Sequence, residues 1–355
     1  MDTKIVDVAA KAGVSPATVS RVLNRSSGVT EKTRLKVMQA IEDLGYHPNA
    51  AAKHLRSQKT KTIGVIAQDI NSAYFTEIIK GIENMAYAQK YRVIICDSEN
   101  QKEKEQEYLN LLLDRTIDGL ILIVPLISDE EIIELADKGY YVAVVGRNVQ
   151  HERVPCVYTD NVKFSREVVN HLVQQGHRDI VFLNGYPDAV DSFERLEGYL
   201  KALREHLIPF RPDFVENGNF NEAGGYEAMK RLLEKGLHFT AVFAANDDMA
   251  LGVYRACEEL GISIPQQLAV IGVDNSRISK YVNPKLSTVS QPKYTMGAIL
   301  VEKFIDQMNE NHFADERVFV VDSELVVRES SVSSSPASSA GQPSVLPLEP
   351  SEGQS

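Results

Sequence analysis

The groups in this 355-residue chain that could bind or react fall into two sets. One is compact: Ser15, Thr18, Ser20, Arg21 and Asn24 bring hydroxyls, a guanidinium and an amide into a single short stretch. The other is dispersed. Asp69, Ser98, Arg147, Asn246, Asp247 and Asp274 each follow a short apolar run. Carboxylates, an amide and a guanidinium suit bidentate hydrogen bonds to sugar hydroxyls, and Tyr74, Phe75 and Phe220 could give a ring an apolar face. Reactive constellations are missing from the sequence. There is no Walker A loop, no G-x-S-x-G elbow, no H-E-x-x-H and no dinucleotide fingerprint. His47, His54 and His177 are isolated, and Cys96, Cys156 and Cys257 are odd in number and far apart, without disulfide or metal-ligand spacing. The three cysteines read as buried thiols. The expectation is a binding protein with no catalytic residues, no cofactor and no metal.

The compact set lies in a basic head. Residues 1–60 hold ten Lys/Arg and five Asp/Glu, a net +5, whereas the rest of the chain is net −16 and the whole is −11. A basic head on an acidic body suits contact with a polyanion. Residues 5–12 read as a helix with Ile5, Val8, Ala9 and Ala12 on one face. Gly13-Val14 turns the chain, Ser15 caps a second helix with Pro16 at its first position, and Val19, Val22 and Leu23 point inward. Thr30 caps a third helix whose inward face is read as Leu35, Met38, Ile41 and Leu44, and Gly45 stops it. This is a helix-turn-helix pattern over residues 1–45. Residues 46–61 form a linker in which Pro48 breaks the helix and Asn49 can cap Ala50–Arg56, a run too short to be a stable helix alone.

From Thr62 apolar runs alternate with amphipathic stretches. The runs Ile63–Ala67, Val93–Cys96, Leu120–Val124, Val142–Val145, Ile180–Leu183, Ala241–Ala244 and Leu268–Ile271 read as strands. Helices are expected near 75–89, 101–115, 163–175, 192–205, 223–235, 248–260 and 293–309. That is a βαβ series, hence parallel sheets covered by helices, and its length calls for two lobes with a cleft over residues 62–329. In such sheets ligands gather at the carboxyl ends of strands, where the dispersed polar set falls. The Ser/Pro-rich stretch from Ser330 to Ser355 is expected to be a disordered tail. No apolar run is long enough to span a membrane, and Met1–Asp7 lacks the pattern of a signal peptide, so a cytoplasmic location is expected.

The segment from Asp7 to Asn24 (DVAAKAGVSPATVSRVLN) closely resembles the DNA-binding signature of the LacI/GalR family of bacterial transcription regulators. The likeness continues through Val29–Arg34, Leu44–Asn49 and Lys53–Arg56. It extends into the core at Thr62–Ile66, Asp118–Ile121, Gly176–Arg178, Ala245–Gly252, Ile271–Asn275 and Leu286–Pro292, so that it covers residues 3 to about 330.

The resemblance implies an all-α helix-turn-helix headpiece on an α/β two-lobed core like that of periplasmic binding proteins. It also implies a homodimer on pseudo-palindromic operator DNA, a sequence-specific regulator of the repressor kind, controlled by a small effector, a sugar or sugar phosphate. A second helix of this type enters the major groove. Ser15, Thr18, Ser20, Arg21 and Asn24 would then face base edges, with Arg21 suited to a bidentate contact to guanine. Pro16 and Ala17 stand where the family varies operator choice and would touch thymine methyls. Thr30, Thr33 and Asn49 read as caps or phosphate contacts. Leu55 corresponds to the wedge of the family's hinge helix, which kinks a minor-groove step. Arg195, within FERLEG, matches a ligand-holding position, as do Asn246 and Asp274. The purine-binding branch carries a Trp near position 147; here the residue is Arg147 and the chain has no Trp, which speaks against a purine. A transport-type sugar-binding protein shares the core fold, but the fused basic head decides against it.

Overall fold

A computed structural model describes residues 3–23, 28–46, 59–310 and 316–332 of the chain, which divides by its internal contacts between Thr60 and Lys61. In the first unit, α1 (Ile5–Ala12), α2 (Pro16–Leu23) and α3 (Glu31–Asp43) enclose a small core of Val8, Ala9, Val19, Val22, Val37 and Ala40. The signals read from the sequence act as local physics requires. The Ser15 hydroxyl accepts from the Thr18 N–H at 3.2 Å and Thr30 Oγ1 from the Thr33 N–H at 3.4 Å, so each helix start has one of its orphan donors satisfied. Gly45, at φ 56°, follows the end of α3.

The expected face of α3 is corrected. Leu35 is 64% exposed and Met38 50%, while Val37 and Ala40 are buried with Ile41 and Leu44 packed beside them. Residues 35, 38, 41 and 44 step by three, and at 3.6 residues per turn such a row drifts about 180° around the helix by its end. Residues 37, 40, 41 and 44 hold one stripe, and that stripe meets the other two helices.

The second unit has two sheets. The first runs β11-β5-β4-β3-β1-β2 and is parallel throughout, with β1 Thr62–Ala67, β2 Arg92–Asp97, β3 Gly119–Ile123, β4 Val142–Val145, β5 Cys156–Tyr158 and β11 Val318–Val320. The second runs β12-β10-β9-β8-β6-β7, with β6 Ile180–Asn184, β7 Val215–Asn217, β8 Ala241–Ala244, β9 Ala269–Val273, β10 Ser287–Ser290 and an antiparallel β12 Glu324–Val326. Continuous apolar runs arise because both faces of a sheet are covered. In β3, Ile121 and Ile123 pack toward α4 (Ala73–Ala88) and α12 (Lys293–Glu310), while Leu120 and Leu122 pack on the opposite side with Ile132 and Leu135 of α7 (Asp129–Asp137). Around the second sheet lie α8 (Asn161–Gln174), α9 (Val190–Glu205), α10 (Glu222–Glu234) and α11 (Asp247–Leu260), joined in one large core.

The seven strands read from apolar runs are present, and five further strands have little period to read: four are three residues long and β10 is Ser-Thr-Val-Ser. The expected helix at 101–115 is two short ones, α5 (Lys102–Tyr108) and α6 (Asn110–Leu113), and α7 was not among the helices read. The ordered chain also reaches past the expected tail start. Ser330 and Ser331 are buried, with Ser330 Oγ donating to Val270 O at 2.6 Å. Residues 333–355 lie outside the described residues.

The chain passes between the lobes three times, from β5 into α8, from β10 into α12 and from β11 into β12. Two features set the geometry there. A Cβ on Gly81 would lie 2.1 Å from Tyr294 O, and one on Gly297 2.2 Å from Ile78 O, so α4 and α12 touch backbone to backbone. At the crossings, Thr159 Oγ1 donates to Gln291 Oε1 at 2.7 Å, tying the first passage to the second.

Candidate functional site

On the first unit the candidate surface is one side of α2 and its preceding turn. With Val19 and Val22 turned inward, helical period leaves Ser15, Pro16, Ala17 and Arg21 exposed and Thr18 and Ser20 half-buried. Ser15 and Thr18 hydroxyls lie 3.0 Å apart at the start of the helix. Thr30 is exposed and caps α3. Asn24, Asn49 and Leu55, with most of the 46–61 linker, lie outside the described residues.

On the second unit the carboxyl ends of the parallel strands face each other across a cleft with two adjoining chambers. The inner chamber is about 110 Å³ and is lined by Asp69, Tyr74, Phe75, Arg195, Phe220, Asn246 and Asp274, among others. The outer chamber is about 530 Å³ and includes Arg147. Gln68, Asn100, Val124, Tyr186 and Asp191 line both. The eight residues singled out as ligand contacts therefore stand around one continuous space.

Backbone strain concentrates on this rim. Asn100, Val124, Phe220 and Asp274 have φ of 55°, 50°, 52° and 108°. A β-branched residue such as Val124 adopts this region only at a cost of about 1–3 kcal/mol, which surrounding contacts must offset. Gln68 Nε2 donates to Val124 O at 2.6 Å, and Val124 N donates to Val145 O at 2.8 Å. Phe220 enters the inner chamber because the residue after β6 is Gly185: a Cβ there would lie 2.0 Å from the Phe220 ring.

Arg195 is 3% exposed. Its guanidinium donates to Asn161 Oδ1 at 2.9 Å, to Asp191 Oδ2 at 3.2 Å and to Ala245 O, and Phe164 and Phe220 flank it with centroids 5.5 Å away. Burial pushes the Asp191 carboxyl up, against the pull of Arg195 and Arg147. Asp274 follows β9. Its Oδ1 accepts from Gln291 Nε2 at 2.8 Å, and its carbonyl accepts from Lys293 Nζ. Burial raises its pKa to about 6, outweighing Arg195 and Lys293. Behind it, Asp247 braces the turn: Oδ2 accepts from Ser276 N at 2.7 Å and Ser276 Oγ at 2.9 Å, and Oδ1 from Thr288 Oγ1 at 2.6 Å. Burial and the neighbouring Asp274 lift Asp247 to about 7, against these hydrogen bonds.

Arg147 is placed differently from the expectation of a free ligand-holding fork. Nε donates to Asp129 Oδ1 at 2.8 Å, and its two terminal nitrogens donate to Pro125 O at 2.7 Å and Ile127 O at 2.6 Å. Glu105, 1% exposed, binds the same loop from the other side through the N–H groups of Leu126 and Ile127. Three of the five N–H donors of Arg147 thus hold a loop of its own lobe.

Sequence reasoning did not find Gln291, Lys293, Asn161, Asp191, Glu194 or Tyr186. Gln291 and Lys293 sit at a lobe crossing, where no periodic pattern marks them. Lys293 is 2% exposed and pairs with Glu77 Oε2 at 3.4 Å, while Gln291 joins Asp274 to Thr159. Asp191 could have been found: it stands four residues before Arg195 on α9, the spacing at which opposite charges meet on a helix.

Comparison with known proteins gives two family matches: residues 4–49 to bacterial regulatory proteins of the lacI family, and residues 169–331 to a periplasmic binding protein-like domain. Catabolite control protein A of Priestia megaterium is 36% identical over 310 residues, covering 87% of this chain and 93% of that protein. The HTH-type transcriptional repressor PurR of Pectobacterium carotovorum is 35% identical over 328 residues, covering 92% and 96%. Among solved structures, a lac repressor dimer bound to operator and the anti-inducer ONPF matches at a TM-score of 0.84 and 28% identity, over 94% of this chain and 100% of that one. A CelR–cellobiose complex matches at 0.71 and 29%, over 92% and 99%.

Proposed function

This chain belongs to the lacI family of bacterial regulatory proteins, and on that premise we propose that it is a cytoplasmic repressor whose hold on an operator is set by a sugar bound in the cleft. It is a DNA-binding transcriptional regulator, with a helix-turn-helix headpiece and a two-lobed core. What carries the reading is the pairing, in one chain, of a basic headpiece exposing Pro16, Ala17 and Arg21 with a polar cleft enclosed between lobes. Relatives support each half, since the lac repressor was solved as a dimer on its operator and CelR with cellobiose. An enzymatic role is not proposed; the two arginines lining the cleft are tied to neighbouring oxygens, and the relatives are regulators.

Ser15, Pro16, Ala17, Thr18, Ser20, Arg21 and Asn24 read base edges in the major groove of a twofold site. Thr30 and Asn49 fix the register on the backbone, and Leu55 wedges the minor groove at the centre. Two copies are required for two half-sites. Asp69, Tyr74, Phe75, Arg195, Phe220, Asn246 and Asp274 receive the sugar, and Arg147 holds the loop that walls the outer chamber. Asp274 couples the ligand to the passages between lobes through Gln291 and Lys293. The effector shifts a population of lobe arrangements, by no more than its differential affinity for them.

The test is selection of a duplex from a random library with full-length protein, then a screen of sugars for altered binding to that duplex. The reading requires a twofold consensus, salt-sensitive binding and at least one sugar that changes affinity. Binding indifferent to sequence would overturn it.

A further inference from the structure

The charge of the effector is written in the lining of the cleft. Seven carboxyl groups line the two chambers, against two guanidinium groups. Both cations are already matched: Arg195 to Asp191 at 3.2 Å and Arg147 to Asp129 at 2.8 Å. Asp69, Glu130, Asp188, Glu194 and Asp274 make no ion pair among the described residues, although Arg195 and Lys293 act on Asp274 from nearby. Lys293, the buried cation beside Asp274, directs its ammonium to a backbone carbonyl and to Glu77.

The side-chain amides are partly engaged as well: three around the inner chamber each direct one N–H to the protein's own backbone. Gln68 Nε2 donates to Val124 O at 2.6 Å, Asn246 Nδ2 to Phe220 O at 2.9 Å and Asn221 Nδ2 to Asn219 O at 2.9 Å. Carboxylate oxygens, which only accept, stand in the lining beside the aromatic faces of Tyr74, Phe75 and Phe220. A concave, low-dielectric space lined by an excess of one sign of charge concentrates the field of that charge.

Resting on the effector reading above, we infer that the cleft excludes anions: its ligand is a polyol that is uncharged or carries an ammonium group, and the phosphorylated and acidic forms of the same sugar are rejected. Hydroxyl and ammonium hydrogens are the donors that these carboxylates can accept. A phosphate or carboxylate would bring more acceptor oxygens, and more negative charge, against a lining in which carboxylates outnumber guanidinium groups. This narrows the sequence-derived choice between a sugar and a sugar phosphate to the sugar.

The test uses the intact protein and matched sets built on glucose, galactose, mannose and ribose: the parent sugar, its terminal phosphate, its acid and, where it exists, its 2-amino derivative, together with cellobiose. Melting shifts find the binding sets and calorimetry gives affinities at low and high ionic strength. The parent or amino sugar is expected to bind at least about tenfold tighter than its phosphate or acid, with the gap narrowing as salt screens the field. The exposed pair Glu130→Gln/Asp188→Asn should raise affinity for the phosphate or acid more than for the parent sugar, so that the gap shrinks about threefold. A phosphate or acid that binds as tightly as its parent overturns the exclusion and leaves the effector reading standing. A gap that persists unchanged in the rim variant overturns its electrostatic cause. If no member of any set shifts melting while the selected duplex does, both the exclusion and the sugar reading fall.

Discussion

Replacing Asp274 by Asn should make the ligand-free protein more stable and its sugar binding weaker. Asp274 is 9% exposed, and burial lifts its pKa from 3.8 to about 6 in spite of Arg195 and Lys293. A carboxyl whose pKa is higher folded than unfolded supports the fold only while protonated. Its contribution is complete below the unfolded value and is lost as pH rises from there through about 6. Above that window the ionised group costs roughly two pKa units, about 3 kcal/mol. Asn removes the charge at nearly constant volume and keeps an oxygen for Gln291 Nε2. It also relieves Asp247, whose pKa the charge of Asp274 helps to raise. Against this, the new amide N–H₂ must find an acceptor on the rim. The net gain at about pH 8 is about 1–3 kcal/mol, which for a unit of this size is about 2–5 °C in melting temperature. By about pH 5 the gain should fall to roughly half, since the wild-type group is then largely protonated in the fold. Calorimetric melting of both proteins across this range checks the sign and the slope, and sugar titration checks the loss of affinity. A variant that melts at or below wild type at about pH 8, with a difference indifferent to pH, would refute the reasoning.

Arg21→Ala should cost about 1–3 kcal/mol of operator affinity and relax preference at one base pair per half-site, read by competition binding against single-base variants. A uniform loss across sequences would reassign it to a phosphate contact. Leu55→Ala should weaken operator binding by more than about 1 kcal/mol and leave sugar affinity intact, as measured by gel-shift and calorimetry. Gly185→Ala drives a methyl into the Phe220 ring, which must leave its place in the inner chamber; sugar affinity should fall at least about tenfold while sugar-free operator binding holds. Gly81→Ala must part α4 from the backbone of α12, and a loss of about 1–3 kcal/mol or more in chemical denaturation is expected.

The architecture was legible in the sequence because its signals are local. Ser15, Thr30 and Gly45 mark helix ends by chemistry that needs no distant partner. Apolar runs such as Leu120–Ile123 announce strands covered on both faces, and in a parallel sheet polar residues just after such runs gather at the cleft, although Ser98 and Asp247 are buried beside it. That logic places Asp69, Asn246 and Asp274 without any family likeness, whereas Arg195 lies on a helix and was found by likeness alone. What escaped depends on contacts far apart in the chain. Gln291 matters because Thr159 and Asp274, which are remote in sequence, meet on its two ends. Arg147 looked free until the loop from Pro125 to Asp129 folded over its guanidinium. On α3 the sequence offered two overlapping apolar stripes, and only packing chose Val37 and Ala40 over Leu35 and Met38.

The most direct measurement is equilibrium binding of the full-length protein to its selected twofold duplex, titrated with salt and with the sugar that binds the core. The account predicts a steep fall in affinity with salt, a clear preference over scrambled duplex, and a change in operator affinity when the sugar is present, matched by an equal change in sugar affinity when the operator is present. Operator affinity that stays the same with the core saturated by sugar would contradict it.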